Sequence, residues 1–343
     1  MLIIINKINK DNKKMNILVT GGAGYIGSHV CLNLLDAGHD ITVIDDLSLG
    51  HEKLIPKRVE FIKANINNTN ILNKLFKKKS FDALMHFAGF VQVEESVKFP
   101  SKYFDNNTKN AVILFENCIN NGLKNIIFSS TAAVYGNPNK ELIHEGANLN
   151  PLNPYGKSKV QTENKLIKMQ KNNNFNYIIL RYFNVAGADP KLRSGLISKK
   201  PTHLIKIASQ AAIGKLNSVT IFGNDYNTHD GTAIRDYIHV SDLADIHVKS
   251  LEYILEKKQS KILNCGYGKG YSVKEVLDTL NRVCNNKISI KYGNRRPGDA
   301  VSLVSNTNQL METISWAPKY NDLETILKTS IKWENKIQNE KIL

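Results

Sequence analysis

From residue 16 onward, short apolar runs alternate with longer stretches of helical period, and this alternation predicts the fold class. Ile17-Leu18-Val19 is the first apolar run. A glycine loop follows, then a helical stretch from Tyr25 to Ala37 that Gly38 stops as a C′ residue. Ile41 to Ile44, Val59 to Ile62, Phe81 to Phe87, Asn125 to Ser130 and Tyr177 to Arg181 read as further strands. Thr69 to Lys79, Ser101 to Asn120 and Tyr155 to Lys171 read as the intervening helices, with Gly122 ending the second. Apolar strands spaced by amphipathic helices form β-α-β units whose parallel strands are covered on both faces. The predicted architecture is therefore α/β: a doubly wound, parallel Rossmann-type sheet followed by a smaller C-terminal α/β region.

After about Asn184 the rhythm loosens into a loop rich in Gly, Asp and Pro. A helix is predicted from Thr202 to Ile213, a strand around Val219 to Phe222, and a helix from Ser241 to Glu256. Lys261 to Cys265 is a strand that can return to the main sheet. Ser272, with Glu275 three residues on, suits a capping box opening a helix to Cys284. Gly266, Gly268 and Gly270 just before it read as a structural turn. Residues 1–14 are Asn- and Lys-rich, lack any period and precede a second methionine, Met15; they read as an appended tail or an early start.

Composition changes this picture little. The 343 residues suffice for about two domains, and 42% hydrophobic with 22% charged residues is ordinary globular usage. The formal net charge of +15 is spread along the chain, with Lys77-Lys78-Lys79 its longest basic run, closing a predicted helix. That field suits a small acidic substrate, and no nucleic-acid partner is expected. No apolar run approaches the roughly 18 residues that cross a bilayer, so no membrane partner is expected and the cytoplasm is the expected compartment. Cys31, Cys118, Cys265 and Cys284 show no metal-like spacing, so free thiols and no metal are expected.

Candidate chemistry starts in the glycine loop. Gly21, Gly24 and Gly27 lie between a strand and a helix, where glycines permit a tight turn and close approach of the backbone to a pyrophosphate. The helix N-terminus then presents N–H groups to phosphate. Alone, this pattern also describes a turn needing positive φ. Asp45 ends the next strand 18 residues past Gly27, where an acid can accept from a ribose 2′-hydroxyl and repel a 2′-phosphate, which favours NAD over NADP.

Tyr155 and Lys159 share one face of a helix opened by Pro154. An ammonium beside a phenol, together with a positive nicotinamide ring, would stabilise the phenolate and lower its pKa from about 10. The same pair also fits a surface helix with a snorkelling lysine. Ser129-Ser130-Thr131, however, ends a strand on the crevice side, where Thr131 can hydrogen-bond a reacting hydroxyl. Hydroxyl, phenol and ammonium together describe hydride chemistry at an alcohol carbon. Arg235 and Arg296 are candidates for a diphosphate, with Asp299 for ribose hydroxyls, although Arg235 could instead pair with Asp236 or Asp242. His86, His239 and His247 sit in apolar patterns and read as core residues.

The glycine loop, Ser129-Ser130-Thr131, Tyr155 to Lys159 and Arg181-Tyr182-Phe183-Asn184 resemble the extended short-chain dehydrogenase/reductase family. Ile221 to Asp225, Gly231 to Val240 and Arg295 to Asp299 resemble, within it, the enzymes that epimerise UDP-glucose at C4, and the likeness runs from about Met15 to Glu334. The resemblance implies interconversion of UDP-glucose and UDP-galactose through a 4-keto sugar, with NAD bound throughout. It also implies an NAD-binding domain over 15–183 with a return around 236–266, and a mainly substrate-binding domain over 184–343.

By that resemblance Tyr155 is the base, Thr131 bridges it to the sugar hydroxyl, and Lys159 holds the nicotinamide ribose. The implied cofactor contacts, besides these three, are Gly21, Gly24, Tyr25, Ile26, Gly27, Asp45, Asn65, Ile66, Phe87, Ala88, Gly89, Asn106 and Phe183. The implied UDP-sugar contacts are Asn184, His203, Leu204, Thr220, Ile221, Phe222, Arg235, Arg296, Asp299 and Leu303. Asn65, Val91 and His203 depart from the usual aspartate, lysine and asparagine, which bears on cofactor retention more than on reaction type. Leu303 occupies the position of a gate on substrate size. A homodimer is implied through the helices at 101–120 and 155–171, with Ile113, Leu114, Leu166 and Ile167 as seam candidates. Dehydratases and decarboxylases of the family carry acids just after the Thr or Ser, where this chain has Ala132 and Ala133.

Overall fold

The computed structural model describes residues 14–138, 140–198, 201–285 and 288–340, so apart from Lys14 the expected tail lies outside the described residues. The strands β1 (Asn16–Thr20), β2 (Asp40–Asp45), β3 (Glu60–Lys63), β4 (Ala83–His86), β5 (Asn125–Thr131) and β6 (Asn176–Tyr182) fall within a residue or two of the apolar runs. Between them lie α1 (Tyr25–Asp36), α2 (Thr69–Lys78), α3 (Val93–Lys98), α4 (Pro100–Tyr103), α5 (Ala111–Asn120) and α6 (Pro154–Asn172). The helix expected over Ser101 to Asn120 is thus interrupted: a π-helical stretch, Phe104–Asn110, joins α4 to α5. Further along the chain are β7 (Asn184–Ala186), α7 (Leu204–Ala212), β8 (Val219–Phe222), β9 (Ile234–His239), α8 (Val240–Lys257) and β10 (Lys261–Cys265). The last part holds β11 (Gly270–Ser272), α9 (Val273–Cys284), β12 (Ile290–Gly293), β13 (Ser302–Leu303), α10 (Asn308–Ile314) and α11 (Leu323–Asn339).

Seven strands form one sheet in the order β10-β6-β5-β4-β1-β2-β3, and every neighbouring pair is parallel. The chain moves outward in one direction from β1 and in the other from β4, so a crevice opens between these two at the C-terminal edge. Thr20, Asp45, His86, Thr131 and Tyr182 all end strands there. The strand at Lys261–Cys265 does return to this sheet, with Cys265 beside Tyr182.

Alternation along each strand sends neighbouring side chains to opposite faces. Ile17, Val19, Val43 and Met85 pack on one face with Val30 and Leu34 of α1 and Leu243 and Leu251 of α8. Leu18, Ile44, Leu84 and Phe128 pack on the other with Leu72, Leu114, Phe115 and Leu166. Leu114 and Leu166 are fully buried in that second core, which removes them from any seam with another copy. The sheet face had first claim on them; Ile113 and Ile167 stay partly exposed.

The smaller region centres on β9, which pairs antiparallel with β11 and parallel with β7 and β13, while β8 pairs with β12. Its core joins Ile205 and Ala208 of α7, Leu277 and Leu280 of α9, and Ile326 and Leu327 of α11. The capping box forms as expected, Ser272 accepting from the Glu275 N–H. Helices α3, α10 and α11 and strands β9 and β12 are absent from the sequence reading. Each is short, except α11, whose apolar positions are interleaved with charged ones and which Asp322 caps at its start.

His86, His239 and His247 are core residues as expected, and His29 joins them. His247 is satisfied at both nitrogens, by the Tyr182 hydroxyl at 2.6 Å and the Leu243 carbonyl at 2.8 Å. Burial pushes His29 and His247 down to about 4, and His86 and His239 down to about 3. Because these folded-state values lie below the unfolded value near 6.5, the stability they confer is complete above about pH 6.5 and is lost as pH falls towards 4. Each contributes a slope on the order of 1.4 kcal/mol per pH unit in that window. Buried Asp45, Asp236 and Asp242 have raised values and work in the opposite direction. Urea denaturation should therefore give a midpoint clearly lower at pH 5.5 than at pH 7.5; an equal or higher midpoint would contradict the histidine assignment.

Candidate active site

The glycine loop turns at the end of β1. Gly21 has φ of 76°, and a Cβ there would sit 2.5 Å from the Ala88 backbone nitrogen. A Cβ on Gly27 would lie 2.2 Å from the Gly21 carbonyl oxygen, so helix and loop are packed backbone to backbone. The α1 N-terminus carries no side-chain cap, which leaves its N–H groups facing the crevice for an anion. Asp45 is 7% exposed and accepts from the Ala23 N–H at 3.0 Å and the Leu47 N–H at 2.9 Å. It thereby ties the end of β2 to the glycine loop. This cradle fits a dinucleotide.

Across the crevice, α6 begins at Asn153, whose side chain accepts from the Gly156 N–H at 2.9 Å. Pro154 fixes the first turn, and Tyr155 and Lys159 point from one face towards the end of β5. Lys159 is 3% exposed and its Nζ donates to the Ser129 carbonyl at 2.8 Å. The same ammonium lies 4.9 Å from the centre of the Phe128 ring, and a Cβ on Gly89 would be 3.6 Å from it. The Thr131 hydroxyl accepts from the Ala133 N–H at 3.1 Å, and its side chain lies close enough to the Tyr155 phenol to favour the phenolate. Hydroxyl, phenol and ammonium are therefore assembled at the C-terminal edge of the sheet.

The protein's own groups set the resting state of the phenol. Burial raises the Tyr155 pKa, and the neighbouring Thr131 side chain lowers it only in part. Lys159 donates to the Ser129 carbonyl, and burial pushes Lys159 itself down to about 8. Burial thus favours the neutral phenol, and positive charge in the crevice would favour the phenolate.

Among the other candidate cofactor residues, Phe87 and Ala88 donate backbone N–H groups to the Thr20 carbonyl, placing their loop directly over β1. Asn106 lies in the π-helical stretch and donates to Asn107, which in turn clasps Phe90 through its N–H and C=O. Asn65 donates to Asp46 at 3.0 Å and accepts from the Asn67 N–H at 3.2 Å. Tyr25 donates to the Gly187 carbonyl at 2.7 Å, and Ile26 packs in the first core. Ile66 is buried in the second core, so only its main chain is open to a ligand.

The candidate substrate residues fall into two groups. Asn184 sits on β7 beside Tyr237 of β9, while Leu303 on β13 pairs with Arg235 of β9. Leu303 also packs against the cluster of Ala132, Val134, Tyr135, Ile143 and Phe183. Arg235 makes no pair with Asp236 or Asp242; its guanidinium donates to the Ile234 and Ala300 carbonyls, both at 2.8 Å. In the second group, Arg296 pairs with Asp299 at 2.8 Å and lies over the exposed Phe222 ring. Thr220 flanks Phe222 on β8, whereas the Ile221 side chain is in the core and offers a ligand only its backbone. Tyr25, Asn184, His203 and Leu204 line one cavity of about 400 Å³, part of it open to solvent.

Glu163 is the residue the sequence reading missed. It is 1% exposed, two turns beyond Tyr155 on α6, and its carboxylate accepts from Arg181 at 2.6 and 3.1 Å. Ser130 donates to it at 2.5 Å, and Arg181 also reaches the Tyr135 hydroxyl and the Glu145 carbonyl. A charged residue in the otherwise inward stripe of α6, four positions past Lys159, was the available signal.

Residues 17–266 match the NAD dependent epimerase/dehydratase family. The chain belongs to that family. It is 46% identical over 322 residues to a UDP-glucose 4-epimerase of Azospirillum brasilense, covering 94% of this chain and 92% of the relative. A Stenotrophomonas maltophila UDP-glucose-4-epimerase, crystallised with NAD and formylated UDP-arabinopyranose, superposes with a TM-score of 0.91 at 32% identity, covering 95% and 99% of the two chains. The UDP-Glc/GlcNAc 4-epimerase of Campylobacter jejuni superposes with a TM-score of 0.82 at 42% identity, covering 94% and 99%.

Proposed function

We propose that this chain is a UDP-glucose 4-epimerase, an NAD-dependent isomerase that interconverts UDP-glucose and UDP-galactose through a transient 4-keto sugar. The observation that carries the reading is the Thr131 side chain beside the Tyr155 phenol, with buried Lys159 donating to the Ser129 carbonyl, at the crevice formed by the glycine cradle. When bound, NAD supplies a positively charged ring that accepts a hydride from C4 of the sugar and returns it. Tyr155 takes the 4-hydroxyl proton and gives it back after the sugar has presented its other face. Thr131 holds that hydroxyl against the phenol, and Lys159 anchors the nicotinamide ribose.

Asp45 accepts from the adenosine ribose, and the free N–H groups of α1 hold the pyrophosphate. Residues 15–183, with the return at 236–266, hold the cofactor, and 184–343 mainly hold the UDP-sugar. Arg235 and Arg296 balance the diphosphate charge, with Arg296 exchanging its Asp299 partner for phosphate and leaving Asp299 to the ribose. Phe222 stacks beside the base. Ala132 and Ala133 after Thr131 weigh against dehydration or decarboxylation, since neither can protonate a leaving hydroxyl or take a C5 proton. We place the protein in the cytoplasm, where thiols such as buried Cys31, raised to about 12, stay reduced.

Tyr155→Phe should retain NAD and lower turnover by about 10²–10⁴-fold, the usual worth of a general base. Lys159→Met should lower turnover similarly and also reduce the NAD that co-purifies. Near-normal rates in the first variant, or unchanged NAD and rate in the second, would remove these roles.

We take Leu303, partly buried against the cluster that includes Ala132 and Phe183, as the residue that crowds the sugar pocket without closing it. Crowding of this kind discriminates by about 1–3 kcal/mol, so turnover of the N-acetylated pair should be weaker than that of UDP-glucose yet detectable. Leu303→Tyr should suppress the N-acetyl activity more than the glucose activity; an unchanged ratio of the two rates, or a wild-type preference for UDP-N-acetylglucosamine, argues against a gate here.

We further propose a C2 homodimer across α5 and α6, seamed by Ile113 and Ile167. Light scattering at micromolar concentration should give twice 38.5 kDa, and a mass of 38.5 kDa would refute it.

A further inference from the structure

We infer that Lys206, Glu334 and Trp333 form a clasp that positions the UDP-sugar residues of α7, and that the C-terminal helix α11 thereby sets substrate affinity without taking part in the chemistry. This inference rests on the reading of Asn184, His203 and Leu204 as UDP-sugar contacts.

Lys206 and Glu334 lie 128 positions apart, yet they pair directly with their side chains 2% and 0% exposed. Burying both charges is costly, and nothing in α7 or α11 alone needs them there, since both helices already share an apolar contact through Ile205, Ala208, Ile326 and Leu327. What the pair adds is direction. Lys206 Nζ donates a second bond to the Leu196 carbonyl at 2.6 Å, and the Trp333 indole N–H donates to that same carbonyl at 3.2 Å. Gly195 lies flat against the indole, where a Cβ would come within 2.5 Å of the ring. Lys206 stands only two and three residues beyond Leu204 and His203, so fixing its side chain fixes the first turn of α7.

The clasp also reaches the cofactor side. Ser194, next to Gly195, shares a 2.6 Å hydrogen bond with Ser28 of α1, the helix that the glycine loop opens. Lys206, Trp333 and Glu334 line the same cavity as Asn184, His203 and Leu204. Glu334 directs one carboxylate oxygen at Lys206, while the other has no partner among the described residues. A helix remote in sequence therefore holds the candidate substrate side chains in register with the cofactor helix.

The test uses the purified holoenzyme, with UDP as the binding probe and UDP-glucose as the substrate. Trp333→Phe keeps the aromatic packing and removes the N–H. The double variant Lys206→Met with Glu334→Leu removes both charges together, avoiding a stranded buried ion. Both should bind NAD at the wild-type ratio and melt near the wild-type temperature. Their KM for UDP-glucose and Kd for UDP should rise about 5–50-fold, with kcat within about twofold. A KM and a UDP Kd within twofold of wild type in folded, NAD-loaded protein would overturn the positioning role. So would a fall in kcat or NAD content in proportion to the loss of stability. If wild-type protein binds UDP but does not turn over UDP-glucose, the functional reading fails while the UDP affinities still decide the clasp.

Discussion

A buried charge pair holds the reactive corner of this molecule together. Arg181 on β6 and Glu163 on α6 are 3% and 1% exposed. Two charges removed from water are tolerable only when each finds its partner and its remaining hydrogen bonds. Here Ser130 of β5, the Tyr135 hydroxyl and the Glu145 carbonyl complete the set. Losing either charge would strand the other, at a cost of about 3–5 kcal/mol. The pair therefore admits little freedom in how α6 lies against β5 and β6. Because Tyr155, Lys159 and Glu163 are spaced by four residues, a fixed Glu163 fixes the helical face that brings Tyr155 to Thr131 and Lys159 to the Ser129 carbonyl.

The parallel sheet supplies the second constraint. With every strand running the same way, the ends of β1, β2, β4, β5 and β6 must open on one edge, and the change of winding direction between β1 and β4 leaves a crevice there. The smaller region meets that edge through β9, whose neighbours β7 and β13 carry Asn184 and Leu303. The glycine cradle and the candidate substrate residues Asn184 and Leu303 thus belong to different sheets.

The protein's own charges leave the site unfinished. Burial favours the neutral phenol at Tyr155 and weakens the ammonium at Lys159, while Arg296 is occupied by Asp299. Each imbalance is one that a ligand bearing a positive ring and a diphosphate would correct. Preorganised groups that become fully effective only with the right charge present are a means of coupling chemistry to correct binding.

Much of this was legible in the sequence because it is local. Strand and helix positions follow from the spacing of apolar residues, the turn at Gly21 from its glycines, and the shared face of Tyr155 and Lys159 from helical geometry alone. The placement of Asp45 at a strand end follows equally from counting. Tertiary structure decided what depends on competition or distance. Leu114 and Leu166 could serve a sheet or a partner, and only the packing of α5 and α6 on β4 and β5 assigns them to the sheet. Strand β13 is two residues long, too short for any periodicity, and exists because β9 offers it an edge. The pairings of Arg181 with Glu163 and of Lys206 with Glu334 join residues on different elements. A charged residue on the buried face of a helix needs a partner, but which partner it finds is set by how the chain folds back on itself.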